Sequence, residues 1–281
     1  MILKKDTVIK GSNQRDIVID MTYSEIEHQP VLLFCHGYKG FKDWGAWHFM
    51  AEKFAEAGFC FIKFNFSHNG GTKEQPIDFT DLRAFGNDNF SKQLYDLDQV
   101  INWIGTFFSS DNKVDEKNIS LIGHSRGGGV VLIKTAEDDR VKNVITWASI
   151  SDIGSRFPSG NELQEWKNKG VIYVENGRTK QQMPHYYQFY EDFKQNKDRL
   201  NIQSAIQGIG QPILLIHGEN DPTVNIEEAH RLKNWQPKAE LEIIPNADHV
   251  FNTRHPWHKD ELSTEAKLLV EKSIVFLKQN E

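Results

Sequence analysis

The chain has 281 residues, of which 38% are hydrophobic and 26% charged, with a formal net charge of −6. Such a composition excludes wholesale disorder, and the acidic balance argues against a nucleic-acid-binding surface. No stretch approaches the roughly 20 apolar residues of a membrane span, and the opening Met1-Ile2-Leu3-Lys4-Lys5-Asp6 turns polar too soon for a signal peptide. The expectation is a cytosolic protein with neither a membrane nor a nucleic-acid partner, a monomer or homodimer. At roughly 150 residues per domain, the length suits one large domain carrying an insertion. The two cysteines, Cys35 and Cys60, lie in apolar runs that read as neighbouring strands, so they are expected as buried thiols and not as a disulfide.

In chain order, residues 7–10 and 16–22 alternate around a Gly-Ser-Asn break, like an antiparallel hairpin at a sheet edge. Residues 31–35 form a continuous apolar run, a buried strand. Residues 44–57 have helical spacing and stop at Gly58, a helix C-terminal signal. A strand at 59–64 is followed by a polar loop from 65 to 89, and then by a long helix over 90–107. Strands are predicted at 118–123, 144–149, 212–217 and 241–244, and helices at 125–135, 226–235 and 261–278. Apolar runs alternating with amphipathic ones mark an α/β protein with a mostly parallel, eight-stranded sheet. Residues 152–210 break the alternation. They are rich in Gln, Asn, Lys and aromatic residues, and are too long for a loop in a compact domain. They read as a mainly helical cap inserted into a single domain 1–281, with a β-hairpin starting in the run 170–174.

The informative segment is Gly123-His124-Ser125-Arg126-Gly127, a G-x-S-x-G directly after a strand and directly before a helix. A serine on such a turn is lifted out of the sheet, and the helix N-terminus beside it favours developing negative charge. Its hydroxyl becomes a nucleophile only when a base takes its proton, and a carboxylate must orient that base. Asp221 follows the strand at 212–217, and His249 follows the strand at 241–244. Ser125, Asp221 and His249 are the predicted catalytic residues. Asp152, just after a strand, is the alternative acid. Asp248 reads as a solvated loop acid, and His217, His255 and His258 as structural or surface residues. The pair His255/His258 makes a weak metal site with no supporting cluster, so no metal and no cofactor are expected.

Acyl transfer also needs two donors at the oxyanion. One is expected from the N–H of Arg126, the residue after the nucleophile. The other is expected from Tyr38 in the loop His36-Gly37-Tyr38 that follows the strand at 31–35. His36, Gly37 and His124 are expected to bind substrate. The Arg126 side chain either pairs with an acid near the turn or meets a substrate carboxylate. Tyr38 is expected at the wall of the acyl pocket.

On His36-Gly37-Tyr38, Gly123-His124-Ser125-Arg126-Gly127-Gly128, His217-Gly218-Glu219-Asn220-Asp221 and Ala247-Asp248-His249, the chain resembles the α/β-hydrolase fold superfamily of serine hydrolases. Within it the chain looks most like bacterial cinnamoyl/feruloyl esterases and dienelactone-hydrolase-like esterases. The resemblance spans nearly everything except the cap. It departs at Arg126, where those esterases often carry a smaller or neutral residue, and at Asn65-Phe66-Ser67-His68-Asn69-Gly70-Gly71, where many carry Asp and Arg. What it implies is cleavage of carboxylic esters through an acyl-enzyme, the substrate being a small-molecule ester with a small or aromatic acyl group. Two rival readings are a serine peptidase or amidase of the prolyl-oligopeptidase type and a non-catalytic binding protein on the same scaffold.

Overall fold

A computed structural model describes residues 1–280. An eight-stranded sheet forms its centre, in the order β1-β2-β4-β3-β5-β6-β9-β10. Strands β1 (Ile2–Lys10) and β2 (Asp16–Tyr23) are the antiparallel edge hairpin. Strand β2 also runs antiparallel to β4 (Cys60–Asn65). From β4 onward every pairing is parallel, through β3 (Gln29–Cys35), β5 (Val114–His124), β6 (Val141–Trp147), β9 (Ile213–Gly218) and β10 (Glu240–Ile244).

Strand alternation sends side chains to two cores, one per face of the sheet. Val31, Leu33 and Cys35 meet one core, which α3 (Phe90–Phe107) and α4 (Arg126–Glu137) supply with Leu94, Leu97, Ile104, Val130 and Ile133. Leu32 and Phe34 meet the other, supplied by α1 (Trp47–Glu56) and α9 (Thr264–Gln279) with Trp47, Phe54, Leu269 and Phe276. The remaining helix of this frame, α8 (Glu227–Trp235), packs on β9. Both cysteine thiols are buried and unpaired. No helix among the described residues is long and apolar enough to cross a membrane.

Two helices start later than expected and one predicted loop gains a helix, each for a local reason, while β1, β5 and β6 begin three to five residues earlier than expected. Helix α1 starts at Trp47 and not at residue 44, because Gly45 has φ +58° and spends its N–H on His255 Nδ1. Helix α9 starts after Ser263, whose hydroxyl accepts from the Ala266 N–H as an N-cap. The 65–89 loop contains a five-residue helix, α2 (Leu82–Gly86), capped by the Asp81 carboxylate.

The inserted segment folds into α5 (Gly160–Lys169), the hairpin β7 (Val171–Glu175) and β8 (Gln182–Tyr186), α6 (Gln188–Gln195) and α7 (Ile202–Gly208). Its own small core is aromatic: Phe157, Trp166, Phe189 and Tyr190 pack ring on ring. The Trp166 indole N–H donates to the His185 carbonyl at 2.8 Å, which joins α5 to β8. Two amides tie the segment to the 65–89 region: Gln181 Nε2 donates to Phe79 O at 2.9 Å, and Asn89 Nδ2 to Gln188 Oε1 at 2.7 Å. Helix α7 packs against α4, where Gly129 lets Ile202 approach closely.

Candidate active site

Ser125 occupies the turn between β5 and α4 with φ 57° and ψ −119°, a conformation strained for any residue with a Cβ. Its backbone N–H donates to Trp147 O on the next strand at 2.8 Å, which anchors the turn. The flanking glycines are required by contact. A Cβ on Gly123 would sit 2.3 Å from Gly127 O, and one on Gly127 would sit 2.4 Å from Cys35 O.

The ends of β9 and β10 bring the predicted partners to the same place. His249 Nε2 lies 3.0 Å from Ser125 Oγ, and His249 Nδ1–H donates to Asp221 Oδ2 at 2.7 Å. The Asp221 side chain is fully buried. Its other oxygen accepts the Thr223 and Val224 N–H groups at 2.7 and 2.9 Å. Burial pushes this carboxyl up, but hydrogen bonds from His217 and His249 and from the Val224 N–H outweigh burial and hold it far below the usual carboxylate range. It is therefore anionic at any working pH. Such a chain can pass the serine proton to the imidazole while the carboxylate fixes the tautomer.

The structure sorts the other acids and histidines plainly. Asp152 spends its two oxygens on the Gly154 and Ser155 N–H groups, away from His249. Asp248 Oδ1 accepts from Val250 N and Asn252 N and holds its own turn. His217 is buried behind Asp221, with Nε2 donating to Val224 O at 2.9 Å and lying 3.3 Å from Asp221 Oδ2. His255 packs edge-on against Phe41, and no metal-binding group of three or more His, Cys, Asp or Glu occurs among the described residues.

The loop after β3 passes directly beside the serine. A Cβ on Gly37 would lie 2.8 Å from Ser125 Cβ. The N–H groups of Tyr38 and Arg126 donate to no protein acceptor among the described residues, so both are free to serve an incoming oxygen. The Tyr38 hydroxyl is held by His185 Nε2 of β8 at 2.7 Å, which links this loop to the inserted hairpin. His36 and His124 are both buried and pushed down by that burial, to about 4 and about 3, so they stay neutral. His124 Nε2–H donates to the His249 carbonyl at 2.9 Å and steadies the loop that carries the imidazole. His36 Nδ1–H donates to Gly37 O at 2.9 Å.

Two cavities meet at Ser125. One, of about 300 Å³, lies under the insertion and is walled by Phe90, Ile153, Phe157, Trp166 and Phe189, with Arg126 in its lining. The other, of about 220 Å³, is lined by His36, Gly37, His124 and His249. Tyr38 borders both. Sequence reasoning did not single out Phe90 or His185. Their roles come from the folding of the insertion over the sheet, and no local pattern marks them.

A serine on a strand-turn-helix motif of a sheet of this order, with an aspartate and a histidine on later strand ends, is the arrangement of the α/β-hydrolase fold. The model of the family described as the alpha/beta hydrolase fold matches residues 30–181, and the chain belongs to that family. It is a hydrolase. Over 167 residues it is 28% identical to the uncharacterized peptidase YuxL of Bacillus subtilis (strain 168), covering 57% of this chain and 23% of that protein. The matches to curated relatives span between 21% and 50% of those proteins' lengths. Among solved structures, ferulic-acid-bound Est1E from Butyrivibrio proteoclasticus superposes with a TM-score of 0.74 at 17% identity, covering 98% of both chains. The dienelactone hydrolase from Anabaena variabilis ATCC 29413 superposes with a TM-score of 0.65 at 16% identity, covering 99% and 98%. At these identities the likeness is one of fold.

Proposed function

We propose that the protein is a serine carboxylic-ester hydrolase, and the single observation carrying this is the hydrogen-bonded chain Ser125–His249–Asp221. His249 takes the Ser125 proton as Oγ attacks the ester carbonyl. Asp221 holds the imidazole tautomer and stabilises the imidazolium. The Tyr38 and Arg126 N–H groups receive the oxyanion. His249 then protonates the departing alcohol, and water releases the acyl group by the reverse sequence. No cofactor enters the scheme. Residues 152–210 act as the cap over the acyl site. The modest cavity beneath the cap, at the low end for ligand pockets, favours a small or aromatic acyl group. The two unpaired thiols support a reducing, cytosolic setting.

The test is a panel of p-nitrophenyl esters from acetate to decanoate, with methyl ferulate, on wild type and Ser125→Ala. Hydrolysis that depends on Ser125 is the expected result. A second reading, amide or peptide cleavage, is favoured by the peptidase name of the relative YuxL. Turnover of amino-acid anilides by a folded protein that leaves every ester intact would select it.

A further inference from the structure

The two cavities at Ser125 are not equivalent, and the proposed chemistry orients them. The group that protonates the leaving alcohol is His249, so the alcohol must leave on the His249 side, through the cavity of about 220 Å³. The acyl part then occupies the cavity under the cap, which His249 does not line.

That acyl cavity is largely apolar but holds two arginines, and they are in different states. Arg156 bonds Glu228, whose carboxylate also accepts the Ser151 N–H at 2.7 Å, so its charge is matched. Arg126 donates no hydrogen bond to any protein group among the described residues, although its side chain is only 16% exposed. Its guanidinium lies 4.4 Å from the centroid of the Tyr38 ring, 5.1 Å from Phe189 and 5.4 Å from Phe90. Aromatic faces favour the charge but accept none of its five N–H groups.

The nearest acid, Asp88, does not complete the pair. Its Oδ2 is 3.6 Å from Arg126 Nη1, too far for a hydrogen bond, and already accepts from Gln93 Nε2 at 2.6 Å. Its Oδ1 is buried with no partner. Burial pushes Asp88 up to about 7 even against the pull of Arg126, so near neutral pH it offsets the cation only in part. The guanidinium is partly buried and its unbonded N–H groups face the cavity, where its planar fork fits a carboxylate.

We infer that Arg126 is the receptor for a carboxylate on the acyl part of the substrate, so the preferred esters are half-esters of short dicarboxylic acids. The inference rests on the ester-hydrolase reading above and adds its substrate class. Arg126 thereby has two separable parts: a backbone N–H aimed at the oxyanion and a side chain that selects the acyl group.

The experiment compares kcat/KM for monomethyl glutarate with that for methyl glutaramate, which has the same shape and a neutral end, in wild type by pH-stat. Because a charge-assisted bidentate pair replaces a neutral contact, the acid is expected to be preferred by at least about tenfold. In Arg126→Gln the ratio of the two kcat/KM values is expected to fall to about one, whatever happens to the absolute rates, and Arg126→Lys is expected to retain part of it. Equal rates in wild type, or a preference that survives Arg126→Gln, overturn the inference while leaving the esterase standing. The wild-type pair of substrates decides the matter even if the variants fail to fold. Failure of the esterase reading looks different: neither methyl ester is cleaved, and no p-nitrophenyl ester is turned over in a Ser125-dependent way.

Discussion

Replacing Asp221 by Asn isolates the role of one carboxylate with almost no change of shape. The fully buried side chain has four partners through which the outcome can be worked: the Thr223 and Val224 N–H groups, His249 and His217. Asn Oδ1 can still accept the Thr223 and Val224 N–H groups. The amide Nδ2, however, is a donor, and it would face His249 Nδ1 where Asp221 Oδ2 now accepts at 2.7 Å. The imidazole relieves this clash of donors by carrying its proton on Nε2, the atom 3.0 Å from Ser125 Oγ. The lone pair that should receive the serine proton is then gone. A swap of this kind is expected to lower kcat by about 10⁴-fold, about 5.5 kcal/mol of transition-state stabilisation. The folded state should suffer far less. Two histidine hydrogen bonds are weakened, but the cost of burying a charge goes with them, so the net loss should be no more than about 2 kcal/mol, or about 4–8 °C in Tm. The assay is p-nitrophenyl butyrate turnover, normalised by near-UV circular dichroism and thermal melts. Asp152→Asn serves as the control and should stay within about threefold of wild type, since Asp152 only caps the Gly154 and Ser155 N–H groups. The reasoning fails if a folded Asp221→Asn keeps more than a tenth of wild-type activity, or if Asp152→Asn is the variant that goes silent.

Two further outcomes concern stability. Ser125→Gly should unfold at higher urea than Ser125→Ala by about 1 kcal/mol, because both lose the hydroxyl and only glycine relieves the backbone at φ 57°; coincident urea curves would show that no strain is stored there. Acid should destabilise the fold well above the carboxylate range. Burial holds His36 at about 4 and His68, His124 and His185 at about 3, so unfolding lets four imidazoles take up protons once the pH falls below their unfolded value of roughly 6.5. Asp88 and Asp96, pushed up by burial to about 7 and about 6, act in the opposite sense and release two protons on unfolding. The net uptake of two protons predicts a loss of about 3 kcal/mol between pH 6 and pH 5. Urea melts at the two pH values measure it, and a flat or rising stability would contradict these burial assignments.

Much of the frame was legible along the chain because it is encoded by neighbours in sequence. Apolar runs at 31–35 and 213–216 can only be buried strands, and Gly123 and Gly127 around Ser125 are demanded by a strand-to-helix turn whose crossing leaves no room for a Cβ. The order of Ser125, Asp221 and His249, each just past a strand, was likewise a local pattern repeated three times. For the acid the pattern favours Asp221 and keeps Asp152 as the alternative, since both follow strands. The order of β6, β9 and β10 in the sheet places Asp221 against the imidazole while Asp152 closes its own turn.

The insertion is the part the sequence reads only coarsely, as a mainly helical cap with a hairpin near 170–174. The bond from His185 to Tyr38 and the ring cage of Tyr38, Phe90 and Phe189 around Arg126 join residues far apart along the chain. Periodicity reports which face of an element is buried, because that depends on spacing within the element. It carries no information on which distant element covers that face. Ser125, Asp221 and His249 could therefore be singled out from the chain alone, whereas the charge state of the acyl cavity, with Arg156 matched and Arg126 left without an acceptor, was decided by long-range packing.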